Sequence, residues 1–312
     1  MTTESAGYHE QYHPDGNTGP IEDSNDVWRG EVTIPEATFG YTLEMPSDPQ
    51  LRRSDVVTIV VPGYNGFEKA YDGFRGDLAD HGLITATLQM PRSMGWRADL
   101  NPANLVRATE LHTKALGGLI RAIDHDFGYD FFDIAGHSYG GRSGSEVALE
   151  HPDYVQNLYL YGSVGLSEHD FVEMLIKSSF VAINELPHAT AHLVREHGPG
   201  VVVDGMRHIF RNFPRTIAEG VAAATSDIRE NLQELDGLGT RIGAVQFPAD
   251  GYFDPEVVKK TSDGLFTKLH VYGDPEAKHV ALQTQPRRVA AAHMALMSEV
   301  EDWKPDLTVV TS

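Results

Sequence analysis

The sequence predicts an α/β protein: a mostly parallel eight-stranded sheet flanked by helices, with a helical cap inserted late in the chain. Three observations predict it. Short β-branched apolar runs recur along the chain, and amphipathic stretches of helical length separate most of them. One long stretch, 165–238, breaks this rhythm and carries helical patterning throughout.

Residues 1–27 mix His, Asp, Gly, Asn and Pro without apolar periodicity and read as a flexible arm. His9 and His13 in it have no companion ligands and read as solvated rather than metal-binding. From Trp28 the pattern alternates, over 30–35 and 38–45, as paired antiparallel strands do. Residues 55–61 are an apolar run ending in Pro62-Gly63-Tyr64-Asn65-Gly66, which is how a strand buried on both faces reads. Further strands are expected at 84–89, 131–135, 155–161, 241–247 and 267–272, with helices over 66–81, 102–127, 141–151 and 286–300. Strands alternating with helices in this way imply a parallel sheet covered on both faces. The cap, 165–238, divides the core into 28–164 and 239–312 and holds helical pieces at 170–186, 205–213 and 216–235. Phe171, Phe180, Phe210 and Phe213 lie in it at helical spacing, suited to the cap's own core or to an apolar acyl pocket.

Composition narrows the function. With 41% hydrophobic residues the chain has material for a sizeable core. The 45 acidic against 25 basic residues give a formal charge of -20, which repels nucleic acid phosphates and anionic membranes. The absence of cysteine excludes disulfides, thiolate metal sites and a cysteine nucleophile. The first residues show neither a basic n-region nor an apolar h-region, and no stretch approaches the ~18 apolar residues of a membrane span. A cytoplasmic protein without a membrane span is expected; oligomeric state is left open.

Between the strand ending at Ala135 and the next helix lie only Gly136-His137-Ser138-Tyr139-Gly140. So sharp a reversal forces the central residue into strained geometry, and side chains two positions either side would strike the strand and helix. Glycine at 136 and 140 removes that collision. The turn also presents the Ser138 hydroxyl at a helix N-terminus, where partial positive charge favours a developing oxyanion.

Gly136-His-Ser-Tyr-Gly-Gly141, with the helix and strand that follow through residue 160, resembles the nucleophile elbow of the α/β-hydrolase family. Upstream, Val60-Val-Pro-Gly-Tyr-Asn-Gly66 is similar to the family's His-Gly-x-x-Gly loop, with Pro62 in place of the histidine. Residues 81–95 resemble its fourth strand and Asp-x-x-Gly-x-Gly turn, from which Met90 and Ser93 depart. The likeness spans roughly 30–300, with the cap outside any motif.

A lone serine hydroxyl is a poor nucleophile, so this reading requires a histidine base and an orienting carboxylate. The family's order is serine, acid, histidine. Among 15 histidines, His279 follows the last strand and precedes a proline-initiated helix, as the family's catalytic histidine does; His270 lies in a strand and His293 in a helix. The resemblance puts the acid after strand 241–247, at Asp250, with Asp254 as the alternative, since Asp254 before Pro255 equally suits a turn or helix N-cap. It also implies an oxyanion hole from the backbone amides of Tyr64 and Tyr139.

The expectation is therefore hydrolysis of a small-molecule ester, thioester or lactone through an acyl-enzyme, with no metal or organic cofactor. Epoxide hydrolases and dehalogenases carry aspartate at the elbow, which Ser138 opposes. Carbon–carbon bond hydrolases, haloperoxidases, amidases and acyltransferases share the serine triad. A non-catalytic ligand-binding relative is the rival of a different class, and it would have no need of all three triad groups.

Overall fold

The computed structural model describes residues 20–24, 26–35, 37–53, 55–63, 68–88, 102–167, 173, 177, 185–211 and 220–301. Among the described residues nine strands form one sheet: β1 (Ile21–Ser24), β2 (Val27–Ile34), β3 (Ala37–Glu44), β4 (Val56–Val61), β5 (Ile84–Leu88), β6 (Phe131–His137), β7 (Val155–Tyr161), β8 (Arg241–Gln246) and β9 (Lys268–Val271). Their order is β1-β2-β3-β5-β4-β6-β7-β8-β9. Pairing is antiparallel from β1 through β3 to β5 and parallel from β5 through β4 to β9.

Eight of these strands are those expected. The ninth, β1, falls within the segment read as an arm; Ile21 pairs with Arg29 and Glu22 with Trp28, at the edge of the sheet. Four residues without alternation carry too little pattern to be recognised as a strand on their own.

The α-helices among the described residues are α1 (Asp72–Asp80), α2 (Pro102–Phe127), α3 (Tyr139–Glu150), α4 (Leu186–His197), α5 (Gly200–Arg211), α6 (Arg229–Leu238), α7 (Pro255–Thr261), α8 (Ala281–Thr284) and α9 (Pro286–Glu301). The alternation of β4 shows how the layers are built. Val57, Ile59 and Val61 join a core with Leu116, Leu119 and Ile120 of α2, Val147 of α3, and Leu232 and Leu235 of α6. Val60 points the other way, into a core with Phe74 and Leu78 of α1 and Val289 and Leu296 of α9. A strand covered on both faces has no solvent-facing side, which is why β4 is apolar at every position but the buried Thr58. Each such side chain contributes about 1.5–3 kcal/mol by leaving water.

Within the cap segment, the continuous helix expected over 216–235 is broken. After a helical turn at 220–224, Thr225 Oγ1 hydrogen-bonds the Val221 carbonyl (2.9 Å) and Ser226 bonds that of Ala222. Asp227 Oδ1 then accepts the Arg229 N–H (3.1 Å), opening α6. Three consecutive side chains that compete for backbone groups end one helix and start the next. The same break lets α6 pack against α3 on the sheet rather than lie with α4 and α5. The expected helix at 170–186, apart from residues 173, 177, 185 and 186, lies outside the described residues, as do Phe171, Phe180, Phe213, the side chain of Phe210, the turn with Met90 and Ser93, and His9 and His13. Among the described residues no helix is long and apolar enough to cross a membrane.

Because β4, β6, β7 and β8 run parallel and in register, Val61 pairing with Gly136 and His137 with Tyr161, their carboxyl ends reach one edge together. Ligand sites of open α/β sheets form in the crevice outside that edge.

Candidate active site

Ser138 occupies the turn between β6 and α3 with φ 53° and ψ -119°; among the described residues it is the one non-glycine with positive φ. Such a conformation costs about 1–3 kcal/mol and persists only when the surroundings fix it. They do: the Ser138 N–H donates to the Tyr161 carbonyl (2.9 Å), and the Ser138 carbonyl accepts from Gly141 (3.1 Å) and Val164 (3.2 Å). The flanking glycines act as the sequence implied. A methyl on Gly136 would sit 2.7 Å from the Gly140 carbonyl oxygen and from the Gly141 Cα, and one on Gly140 would overlap the Val61 carbonyl. Ser138 is the N-cap of α3 and makes no side-chain capping bond, and Tyr139 is the first helical residue.

The structure brings His279 and Asp250 together. His279 Nδ1 lies 2.9 Å from Asp250 Oδ2, with the side chains 7% and 0% exposed. The other carboxylate oxygen accepts the backbone N–H groups of Tyr252 (2.7 Å) and Phe253 (3.1 Å), so the carboxylate cannot turn away from the imidazole. The His279 ring is walled by Tyr252 edge-on (centroids 4.7 Å), Phe253 (5.6 Å) and His137 (4.8 Å). Asp254, the alternative acid, instead caps α7, accepting the Glu256 N–H at 2.9 Å.

Gly162, immediately after β7, links this pair to the serine turn. It has φ 46°, and a Cβ there would lie 2.8 Å from Asp250 Oδ2 and 3.2 Å from His279 Nδ1. Its neighbour Tyr161 is the residue whose carbonyl holds Ser138 N. Gly63, two residues past the end of β4, packs just as closely on the serine, 3.0 Å separating its missing Cβ from Ser138 Cβ. Tyr64 lies outside the described residues.

Electrostatics favour a protonatable imidazole. Burial, the largest effect, opposes charging His279, but the Asp250 charge, its hydrogen bond and the Glu185 charge outweigh it, holding the pKa above the ordinary histidine value. Glu185, just before α4, is buried, and its Oε2 accepts the Val280 N–H at 3.4 Å. Burial raises its own pKa, against the pull of His279. His137 is the reverse case: burial and then the His279 charge push it down to about 3, so it is neutral.

Glu185, Gly162 and Tyr71, which bonds His137, were not singled out by the sequence. Glu185 and Tyr71 sit in amphipathic text with no motif around them, and only the folded chain carries them to the carboxyl edge. Among the described residues no group of three or more His, Cys, Asp or Glu side chains is arranged to hold a metal ion.

The sequence matches no family model and no curated protein. Solved structures resemble the chain over most of its length. An alpha/beta hydrolase enzyme from the metagenome of sediments of the Mar Chica lagoon, Morocco, is 15% identical with a TM-score of 0.54, covering 87% of this chain and 99% of that one. A thermophilic esterase from Thermogutta terrifontis is 18% identical with a TM-score of 0.55, covering 87% and 98%. A bromoperoxidase from Bacillus anthracis is 10% identical with a TM-score of 0.59, covering 86% and 99%. Identities this low speak for architecture alone, and they agree with the strand order and the serine turn: the chain has the α/β-hydrolase fold.

Proposed function

We propose that the protein is a serine hydrolase that cleaves a small-molecule ester, thioester or lactone. Ser138 is the nucleophile, His279 the base and Asp250 the acid that orients it. The observation that carries this reading is the buried 2.9 Å bond between His279 Nδ1 and Asp250 Oδ2, beside a serine strained at a strand-to-helix turn. With Nδ1 committed to Asp250, the imidazole keeps Nε2 for the serine proton.

In the proposed cycle Ser138 Oγ adds to the substrate carbonyl as its proton passes to His279. The oxyanion is met by the backbone N–H of Tyr139 at the start of α3 and by that of Tyr64. His279 returns the proton to the leaving alkoxide or thiolate. Water, deprotonated by His279, then hydrolyses the acyl-enzyme and regenerates Ser138. The helices of the 165–238 segment, apart from α6, serve as a cap over the acyl site. The charge of -20 favours a small molecule over nucleic acid as the partner.

Hydrolysis of short p-nitrophenyl esters tests the reading. Turnover by the wild-type protein that disappears in Ser138→Ala supports it. A folded wild-type protein inert towards esters, thioesters and lactones alike would leave a binding role for the same pocket.

A further inference from the structure

His137 precedes the serine and is buried on all sides, yet both its ring nitrogens are engaged. Nε2 lies 2.9 Å from the backbone carbonyl oxygen of His279. A carbonyl only accepts, so Nε2 carries the proton and donates. In the neutral ring Nδ1 is then a bare lone pair, and the Tyr71 hydroxyl 2.7 Å away donates to it. The Tyr71 oxygen in turn accepts the Gly63 N–H at 3.0 Å and the Gln283 side-chain N–H at 3.4 Å. Every donor has a matching acceptor, and the bonds run in one direction: Gly63 to Tyr71, Tyr71 to His137, His137 to His279.

These bonds join three stretches far apart in sequence, around residues 63–71, 137 and 279–283. Gly63 stands two residues past the end of β4 and immediately precedes Tyr64; His137 immediately precedes Ser138; the carbonyl belongs to His279 itself; and Gln283 lies in α8, which follows it. Packing alone would be satisfied by phenylalanine at 71, since the ring is fully buried among apolar side chains. Burying a hydroxyl and an imidazole is costly unless each finds a partner, and here each bond falls on a segment that the proposed chemistry must hold in register.

We infer that Tyr71 and His137 are positioning residues, a buried hydroxyl–imidazole relay that fixes the Gly63 backbone and the base relative to the nucleophile turn. The inference rests on the triad reading of Ser138, His279 and Asp250. Neither residue touches substrate. Their work is to keep the Gly63 backbone and the His279 backbone at fixed distances from Ser138, where displacements of a fraction of an ångström change the rate.

The test is Tyr71→Phe, which keeps the ring and removes the hydroxyl. Four quantities are read beside the wild type: kcat and KM on a short p-nitrophenyl ester, the affinity of a trifluoromethyl ketone, whose serine adduct carries the oxyanion, and the thermal midpoint. The relay predicts that kcat and ketone affinity both fall by about 10- to 100-fold while KM stays within about twofold. Gln283→Ala, partly exposed and gentle to the fold, should show the same signature at about three- to tenfold, and it decides the matter if Tyr71→Phe does not fold. A merely structural role would lower the thermal midpoint and leave kcat and ketone affinity at wild-type values in folded protein; that result overturns the relay. A wild-type protein that neither turns over esters nor binds the ketone overturns the triad reading and the relay with it, so the two failures are told apart by the wild-type control.

Discussion

Gly162→Ala is the most telling substitution outside the proposed triad, because the structure gives its consequence in ångströms. At φ 46° an alanine lies in the left-handed region, at a cost of roughly 1–2 kcal/mol. Its methyl would also stand 2.8 Å from Asp250 Oδ2 and 3.2 Å from His279 Nδ1. Ordinary contact begins near 3.4 Å, so the oxygen must retreat by about 0.6 Å. The carboxylate has little room to comply, since Tyr252 and Phe253 hold its other oxygen. A shift of that size takes the 2.9 Å bond to His279 towards 3.5 Å, at the limit of hydrogen bonding. We expect kcat/KM on p-nitrophenyl esters to fall by about 10- to 100-fold, with a thermal midpoint lower by a few degrees. Gly128→Ala is the control. Gly128 has φ 72° and nothing within 4 Å of a Cβ, so it carries the backbone cost without the collision and should lose stability but keep full activity. Wild-type activity in Gly162→Ala, or an equal loss in Gly128→Ala, would refute the argument.

Three further outcomes follow from the same geometry. Asp250→Asn should lower kcat by about 10³- to 10⁴-fold by disturbing the imidazole tautomer, whereas Asp254→Ala should cost about 1 kcal/mol of stability through the lost α7 cap and leave turnover intact; steady-state kinetics and urea melts separate them. Glu185→Gln removes a negative charge that helps hold the His279 pKa up, so the acid limb of the kcat/KM–pH profile should move to lower pH, and a limb that stays put or rises contradicts the coupling. Asp133 is fully buried on β6, bonded by Asn157 (2.7 Å), with its second oxygen unpartnered among the described residues and its pKa pushed up to about 7, chiefly by burial. The folded state therefore holds this proton more tightly than the unfolded chain does, and the group's effect on stability worsens as pH rises from about 4 to about 7. Asp133→Asn should match the wild type near pH 4 and exceed it by up to about 4 kcal/mol above pH 7 in denaturant titrations.

Much of this was legible in the sequence because each signal was local. The apolar run of β4, the glycines at 136 and 140 and the proline after His279 each reflect a steric demand that a few neighbouring residues reveal. Choosing between Asp250 and Asp254 required the fold: the two stand four positions apart in one loop, and only its path shows that one faces the imidazole while the other caps a helix. Glu185, Tyr71 and Gly162 were hidden for a related reason. Their environment is assembled from segments about 60 to 210 residues away, and nothing in their immediate neighbours distinguishes them from ordinary helix or strand-end residues. The break at Thr225-Ser226-Asp227 was open to a closer reading, since three side chains that bond backbone groups in succession rarely continue a helix.

The central claim is that one hydroxyl, at Ser138, is made nucleophilic by the buried His279–Asp250 pair. Its most direct measurement is mass spectrometry of the intact and digested protein after reaction with a fluorophosphonate. The account predicts a single adduct on the peptide containing Ser138, lost in Ser138→Ala and slowed at least 100-fold in His279→Ala. No adduct on folded wild-type protein, or an adduct at Ser138 that forms equally fast without His279, would contradict it.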